Sequence, residues 1–183
     1  MNKPIKILAV SGSLRKASYN TAALRAAKEL APDGAEIGIY DIAGFPEYVQ
    51  DTEQPAKVTE FKQEIRQADA ILISSPEYNY SVPGVLKNAI DWASRPYGDS
   101  AWDGKPAAIM GVSPGAIGTA RMQYHLRQIM VFLNMFPINR PEVMISNAAQ
   151  KFDADGNLTD EKTKQFIRGM LESLVTWTQR LQQ

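Results

Sequence analysis

Cysteine is absent from the 183-residue chain, and histidine occurs once, as His125. The first absence excludes disulfides, thiol nucleophiles and cysteine metal sites; the second leaves no set of imidazoles to hold a metal. An excess of charge of one sign is also missing. The 20 basic and 20 acidic side chains balance to a formal net charge of zero, which leaves no electrostatic footprint for nucleic acid or an anionic membrane. No apolar run reaches the roughly 20 residues needed to cross a bilayer. Met1-Asn2-Lys3-Pro4-Ile5 leads directly into a β-prone run with no signal-peptide pattern. The expectation is a cytoplasmic protein of one domain, residues 1–183, that must borrow any redox or transfer chemistry from a cofactor.

What the sequence does contain is a polar turn between a strand and a helix. Ile5-Lys6-Ile7-Leu8-Ala9-Val10 is short, apolar and β-prone, while Ala22-Ala23-Leu24-Arg25-Ala26-Ala27 is strongly helical. Between them, Ser11, Gly12, Ser13, Arg15, Ser18 and Asn20 supply hydroxyls, an amide, a guanidinium and a backbone free to approach closely. The unpaired N–H groups and positive dipole end of the following helix favour an anion over that turn. Two better-known phosphate loops do not match. A Walker loop would place Gly-Lys where the chain has Ala17-Ser18, and a dinucleotide fingerprint would place glycine at Leu14. A loop for a single terminal phosphate remains, with Ser18 or Asn20 alternatively serving only as a helix N-cap.

Further along, Ala35–Tyr40 reads as a second strand, Pro55 opens a helix ending near Ala68, and Ala70–Ser75 is a third strand, apolar enough to be buried on both faces. A helix starts around Val82-Pro83-Gly84. Pro106–Ser113 is strand four, and a helix carrying Met122, Leu126, Ile129, Met130 and Leu133 follows Gly118. The fifth strand is Glu142–Ser146, with Met135-Phe136 and Pro137-Ile138 able to join it across a bend at Pro141. A last helix runs from about Thr159 past Trp177. Five strands alternating with five helices predict a doubly wound α/β sheet with right-handed crossovers. The order 2-1-3-4-5 brings the loops after strands one, three and four to the switch-point crevice.

Those loops are 11–20, 76–81 and 113–118. Pro76 restricts the local backbone, Tyr78 offers a face to a planar ring, and Asn79 can donate and accept at a heterocycle edge. Pro114-Gly115 lets the chain pass close to the same ring. A planar cofactor ending in one phosphate fits these features, and FMN is the commonest such molecule for this fold.

The segments Gly12-Ser-Leu-Arg-Lys-Ala-Ser-Tyr-Asn20, Pro76-Glu-Tyr-Asn79 and Ser81-Val-Pro-Gly-Val-Leu-Lys-Asn-Ala-Ile-Asp-Trp92 resemble the NADPH-dependent FMN reductase family, and within it the bacterial quinone and chromate reductases. The resemblance implies a flavodoxin-like three-layer sandwich. By matching position, Ser11, Ser13, Leu14, Arg15, Ser18 and Asn20 hold the FMN phosphate, Pro76, Glu77, Tyr78 and Asn79 line the isoalloxazine, and Ser113, Gly115 and Ala116 border its far side. It also implies ping-pong chemistry. NADPH or NADH delivers hydride to FMN, and two electrons pass to a small-molecule acceptor such as a quinone, azo compound, chromate or free flavin. Related reductases assemble as homodimers or homotetramers. No catalytic side chain and no metal ligand is demanded. The rivals are a flavodoxin-type FMN electron carrier, which would be strongly acidic, and a phosphate-binding module without redox function.

The family often has a glycine pair before the arginine of its fourth loop; here the pair is Gly118-Thr119, ahead of Ala120-Arg121, and Thr119 is expected to narrow or re-aim that loop. His125 reads as an interface or surface residue rather than a proton donor, and the three tryptophans as packing residues. Glu77 has no assigned role as a base. Arg121, Tyr124 and Glu142 read either as a polar network at a subunit contact or as a solvated face.

Overall fold

The computed structural model describes residues 3–183. In chain order the elements are β1 (Ile5–Ser11), α1 (Tyr19–Glu29), β2 (Ala35–Tyr40), α2 (Ala56–Gln67), β3 (Ala70–Ser74), α3 (Gly84–Ala93), β4 (Pro106–Val112), α4 (Ala120–Phe132), β5 (Phe136–Pro137), β6 (Val143–Ile145) and α5 (Glu161–Leu181), with a 3₁₀ turn at Ala148–Gln150.

All pairings in the sheet are parallel, in the order β2-β1-β3-β4-β5, and β6 also pairs with β4. Continuous apolar runs suit strands covered on both faces, and every residue of β3 and β4 is buried. Side chains of one strand alternate between the faces. Ile7 and Ala9 join the core made with α1 and α5, through Leu24, Ile167, Met170 and Leu174. Leu8 and Val10 join the opposite core, with Phe61, Ile65, Leu86, Met122 and Leu126 of α2, α3 and α4. This is a three-layer sandwich.

The expected fifth strand is realised as two short pieces. Phe136–Pro137 pairs with Pro106 and Ala107, and Val143–Ile145 pairs with Met110 to Val112. Both candidate segments are therefore strand, separated by 138–142. The interruption follows from Pro137 and Pro141, neither of which has an N–H for the ladder.

Strand register places the carboxyl ends of β1, β3 and β4 side by side. Ser11 pairs with Ser74, and Ser74 with Met110; just beyond, Gly12 N donates to Ser74 O at 2.8 Å and Ser75 N to Met110 O at 3.2 Å. The chain leaves β1 for β2 on one side and returns to β3 on the other. The crevice of the switch point lies between those crossovers.

Candidate active site

The turn after β1 is organised by its own hydroxyls. Thr21 Oγ1 donates to Ser11 Oγ at 2.9 Å, Ser13 N donates to the same oxygen at 3.3 Å, and Arg15 N reaches Ser13 Oγ at 3.4 Å. Ser18 is the N-cap of α1 and accepts from Thr21 N at 3.3 Å. Ser11, Ser13 and Ser18 are buried, whereas the side chains of Leu14, Arg15, Lys16 and Ala17 are exposed. Among the described residues, the N–H groups of Leu14, Lys16, Ala17, Tyr19 and Asn20 find no acceptor in the protein. Segment 10–21 contains no carboxylate. Orphan donors, a helix N-terminus, Arg15 and Lys16, with no competing acid, suit a phosphate.

Two residues of this turn act differently from the reading above. Asn20 is buried with its amide turned into the sheet. Its Nδ2 donates to Val112 O at 3.0 Å, while its Oδ1 accepts from Val112 N at 2.9 Å and Ser74 Oγ at 3.1 Å. It ties the first turn of α1 to the ends of β3 and β4, and shapes the cradle as a strut. Gly12 is required by the neighbouring strand: a Cβ there would lie 2.2 Å from Ser75 Oγ and 2.7 Å from Ser75 Cβ.

After β3, Tyr78 and Ser81 close a tight turn through Tyr78 N to Ser81 O at 3.1 Å and Ser81 N to Tyr78 O at 2.9 Å. The central residues Asn79 and Tyr80 both have positive φ, 50° and 68°, the mark of a type I′ turn. Pro76 is half-buried, and Tyr78, Asn79 and Tyr80 face solvent. Glu77 does not join them. Its carboxylate, only 7% exposed, pairs with Arg121 Nε at 2.5 Å and accepts from Met122 N at 3.1 Å. It thereby caps α4, whose N-cap Thr119 makes no side-chain cap bond. The Arg121 guanidinium lies 3.6 Å from the Tyr80 ring centroid. One turn later, His125 Nδ1 is 2.8 Å from Ser81 Oγ. Sequence reasoning missed Tyr80 and the role of Arg121. A sharper signal was available in the consecutive Asn79-Tyr80-Ser81, which is turn chemistry carrying an aromatic.

After β4, Ser113 Oγ accepts from Gly115 N at 3.1 Å, and Asn147 N and Ala148 N donate back to Gly115 O and Ser113 O. The segment beyond β6 thus pins this loop, leaving Gly115 and Ala116 exposed. Gly118 has φ +69°, and a Cβ there would lie 3.1 Å from the Met144 backbone. Thr119 is fully buried and takes the space above Gly111, where a Cβ would come within 2.0 Å of Thr119 Oγ1. The threonine side chain packs into the sheet over Gly111.

Arg121 serves Glu77 and Tyr80, while Glu142 lies beside Tyr124 and, by hydrogen bonding and charge, raises the pKa of its phenol. The indoles of Trp92, Trp102 and Trp177 each donate to a backbone carbonyl, of Pro46, Ile90 and Phe136, as packing residues do. Among the described residues, no group of histidine and carboxylate side chains forms a metal site, and no helix is long and apolar enough to cross a membrane.

A doubly wound sheet of order 2-1-3-4-5 with a donor-lined cradle after β1 and an aromatic turn after β3 defines a flavodoxin-like oxidoreductase. The chain belongs to the NADPH-dependent FMN reductase family, whose sequence model matches residues 5–150; FMN is its cofactor and NAD(P)H its co-substrate. It is 53% identical over 184 residues to an NAD(P)H-dependent FMN reductase of Pseudomonas aeruginosa, with 99% of each chain covered. It is 45% identical over 175 residues to a 2-hydroxy-1,4-benzoquinone reductase of Burkholderia, covering 94% of this chain and 96% of the relative. Among solved structures, the flavoenzyme NAD(P)H:(acceptor) oxidoreductase FerB of Paracoccus denitrificans superposes with a TM-score of 0.88 at 40% identity, covering 96% of this chain and 97% of that one.

Proposed function

We propose that the protein is an NAD(P)H:quinone reductase that works through FMN anchored at the turn after β1. Ser11, Ser13, Arg15 and Ser18, with the backbone at Leu14, hold the phosphate, and Asn20 braces them from the sheet. Pro76, Tyr78 and Asn79 line the isoalloxazine on one side and Ser113, Gly115 and Ala116 on the other. Bound FMN supplies the hydride and electron chemistry. The protein's part is to orient the ring and leave its reacting side open; Glu77, the carboxylate of the loop after β3, is committed to Arg121 and the start of α4.

The observation that carries this reading is the pairing of the donor-only cradle at 11–20 with the solvent-facing aromatic turn at 78–81 at one end of the sheet. An open crevice of this kind suits acceptors beyond quinones, including azo compounds, chromate and free flavin. The protein acts in the cytoplasm as a homodimer or homotetramer. Val131 and Phe132 at the end of α4, 80% and 71% exposed, form an apolar surface that association would cover.

The experiment is to purify the protein, identify its chromophore, and follow NADPH and NADH oxidation with and without 1,4-benzoquinone. Bound or readily taken-up FMN and quinone-dependent oxidation are expected. A colourless protein that takes up no FMN refutes the flavin site. A flavoprotein inert to both nucleotides is an electron carrier, a reading already disfavoured by a net charge of zero.

A further inference from the structure

The phosphate reading gives no part to Thr21, the third residue after the N-cap Ser18 and half-buried. At that position a capping box carries Glu or Gln, whose side chain reaches back to the N-cap N–H. Here Ser18 N is already taken by Arg15 O at 3.1 Å, and a glutamate would set a negative charge against an anion held over the turn. Thr21 instead sends its hydroxyl to the end of β1, where Oγ1 donates to Ser11 Oγ at 2.9 Å, while its N–H donates to Ser18 Oγ at 3.3 Å. One residue thus supplies a donor to two of the serine hydroxyls that line the turn. A serine hydroxyl has one hydrogen and two acceptor sites, and it rotates to suit its neighbours. Ser11 Oγ accepts from Thr21 Oγ1 and from Ser13 N, which fills both sites. Its hydrogen is all it has left to give. That hydrogen goes to Ser13 O over 3.3 Å, a long contact that an anionic oxygen, the stronger acceptor, can take over.

We infer that Thr21 is a positioning residue of the phosphate cradle: by filling the lone pairs of Ser11 it fixes that serine as a donor, and so sets the preference for a phosphorylated flavin over the same flavin without its phosphate. This rests on the FMN reading above and adds to it a residue that acts through Ser11. Without the Thr21 hydroxyl, Ser11 is free to turn a lone pair toward the ligand, where it repels a phosphate oxygen. Ser18 Oγ, with one acceptor site filled by Thr21 N, also keeps its hydrogen for the anion. The isoalloxazine ring, held by the loops after β3 and β4 in the same reading, is indifferent to this arrangement.

The test measures Kd for FMN and for riboflavin, which carries the same ring without the phosphate, by the quenching of flavin fluorescence on the apoprotein. Thr21→Val keeps the side-chain shape and the backbone N–H that bonds Ser18, and removes only the hydroxyl. It is expected to raise the FMN Kd about three- to tenfold, the net range of one hydrogen bond, and to leave the riboflavin Kd as in the wild type. Thr21→Ser restores wild-type FMN affinity. In a Ser11→Ala background Thr21→Val has no further effect on the FMN Kd, because the hydroxyl it orients is gone. Thr21→Ala makes the same comparison if valine disturbs the helix, and urea unfolding of each apoprotein shows that the fold is intact. Unchanged FMN affinity in Thr21→Val overturns the inference. So does an equal rise for FMN and riboflavin, a Thr21→Ser variant that behaves like Thr21→Val, or an undiminished effect in the Ser11→Ala background. A wild-type protein that binds FMN no better than riboflavin refutes the phosphate turn itself, a failure visible before any variant is compared.

Discussion

At the scale of single residues, the turn after β1 separates exposed side chains from side chains committed to the fold. Arg15 is exposed and makes no side-chain hydrogen bond or ion pair among the described residues. Replacing it has little to break in the empty protein. Arg15→Ala is expected to weaken FMN binding by about 1.5–3 kcal/mol, the range for a hydrogen bond to a charged group, and to shift apoprotein stability by no more than about 0.5 kcal/mol. Fluorescence titration of FMN and denaturant unfolding of the apoprotein check the two halves. Asn20 presents the opposite case. Its polarity and its place in the turn marked it as a phosphate donor, yet a buried amide must satisfy its atoms where it lies, and the nearest partners are Val112 and Ser74. Composition showed the type of donor, and only the fold showed its direction. Gly12 was similarly visible as a close-approach residue, although the surface it approaches is Ser75.

At the scale of elements, the fit between β4 and the start of α4 is the sharpest steric constraint. Gly111→Ala would bring a Cβ to 2.0 Å from Thr119 Oγ1 and 2.5 Å from Ser75 O. The second contact is with backbone and cannot swing aside. The substitution is expected to destabilise by about 1–3 kcal/mol or more, with Thr119→Ala in the same chain restoring only part of the loss; thermal unfolding measures both. Helix α5 offers a test with a pH signature. Its N-cap Asp160 accepts from Thr163 N at 2.8 Å and Thr163 Oγ1 at 2.5 Å, bonds that hold the carboxyl below its usual range, with the hydroxyl the larger cause. The folded pKa lies below the unfolded one, so the unfolded chain binds more protons there and the cap's contribution rises with pH. It is complete above the usual carboxylate range and is lost as pH falls through the lowered folded value. Asp160→Ala should cost about 0.5–2 kcal/mol near neutrality, and urea unfolding should show the gap to wild type closing below about pH 4. Element identity was legible because hydrophobic period and caps are local. The split of the last strand into β5 and β6 was open in the sequence, since the two prolines mark an interruption without showing whether both flanking pieces return to β4.

At the scale of the whole molecule, binding and folding are linked, because the cradle is assembled from β1, α1, β3 and β4 together. FMN at 100 times its Kd is expected to stabilise the apoprotein by about 2.7 kcal/mol, a rise in midpoint of roughly 5–10 °C for a chain of this size. Differential scanning fluorimetry should show a smaller rise for Arg15→Ala at the same FMN concentration, and an unchanged midpoint of the wild type on adding FMN would mean that the folded protein does not bind it. By itself the sequence determined the alternation of strands and helices, the donor-rich polar turn after β1, the aromatic loop after β3 and the dependence on a borrowed cofactor. These are consequences of near-neighbour chemistry, such as period, propensity, turn residues and the lack of cysteine. The tertiary structure decided that Asn20 braces the sheet, that Glu77 caps α4 rather than facing the ring, that Thr119 fills the space over Gly111, and that Arg121 and Tyr80 meet. Asn20 reaches Val112 across 92 positions, Glu77 reaches Arg121 across 44 and Arg121 meets Tyr80 on a different loop, while Thr119 folds back over β4. Such contacts arise only when the sheet order brings those loops to one edge, where burial obliges each polar group to find its partner.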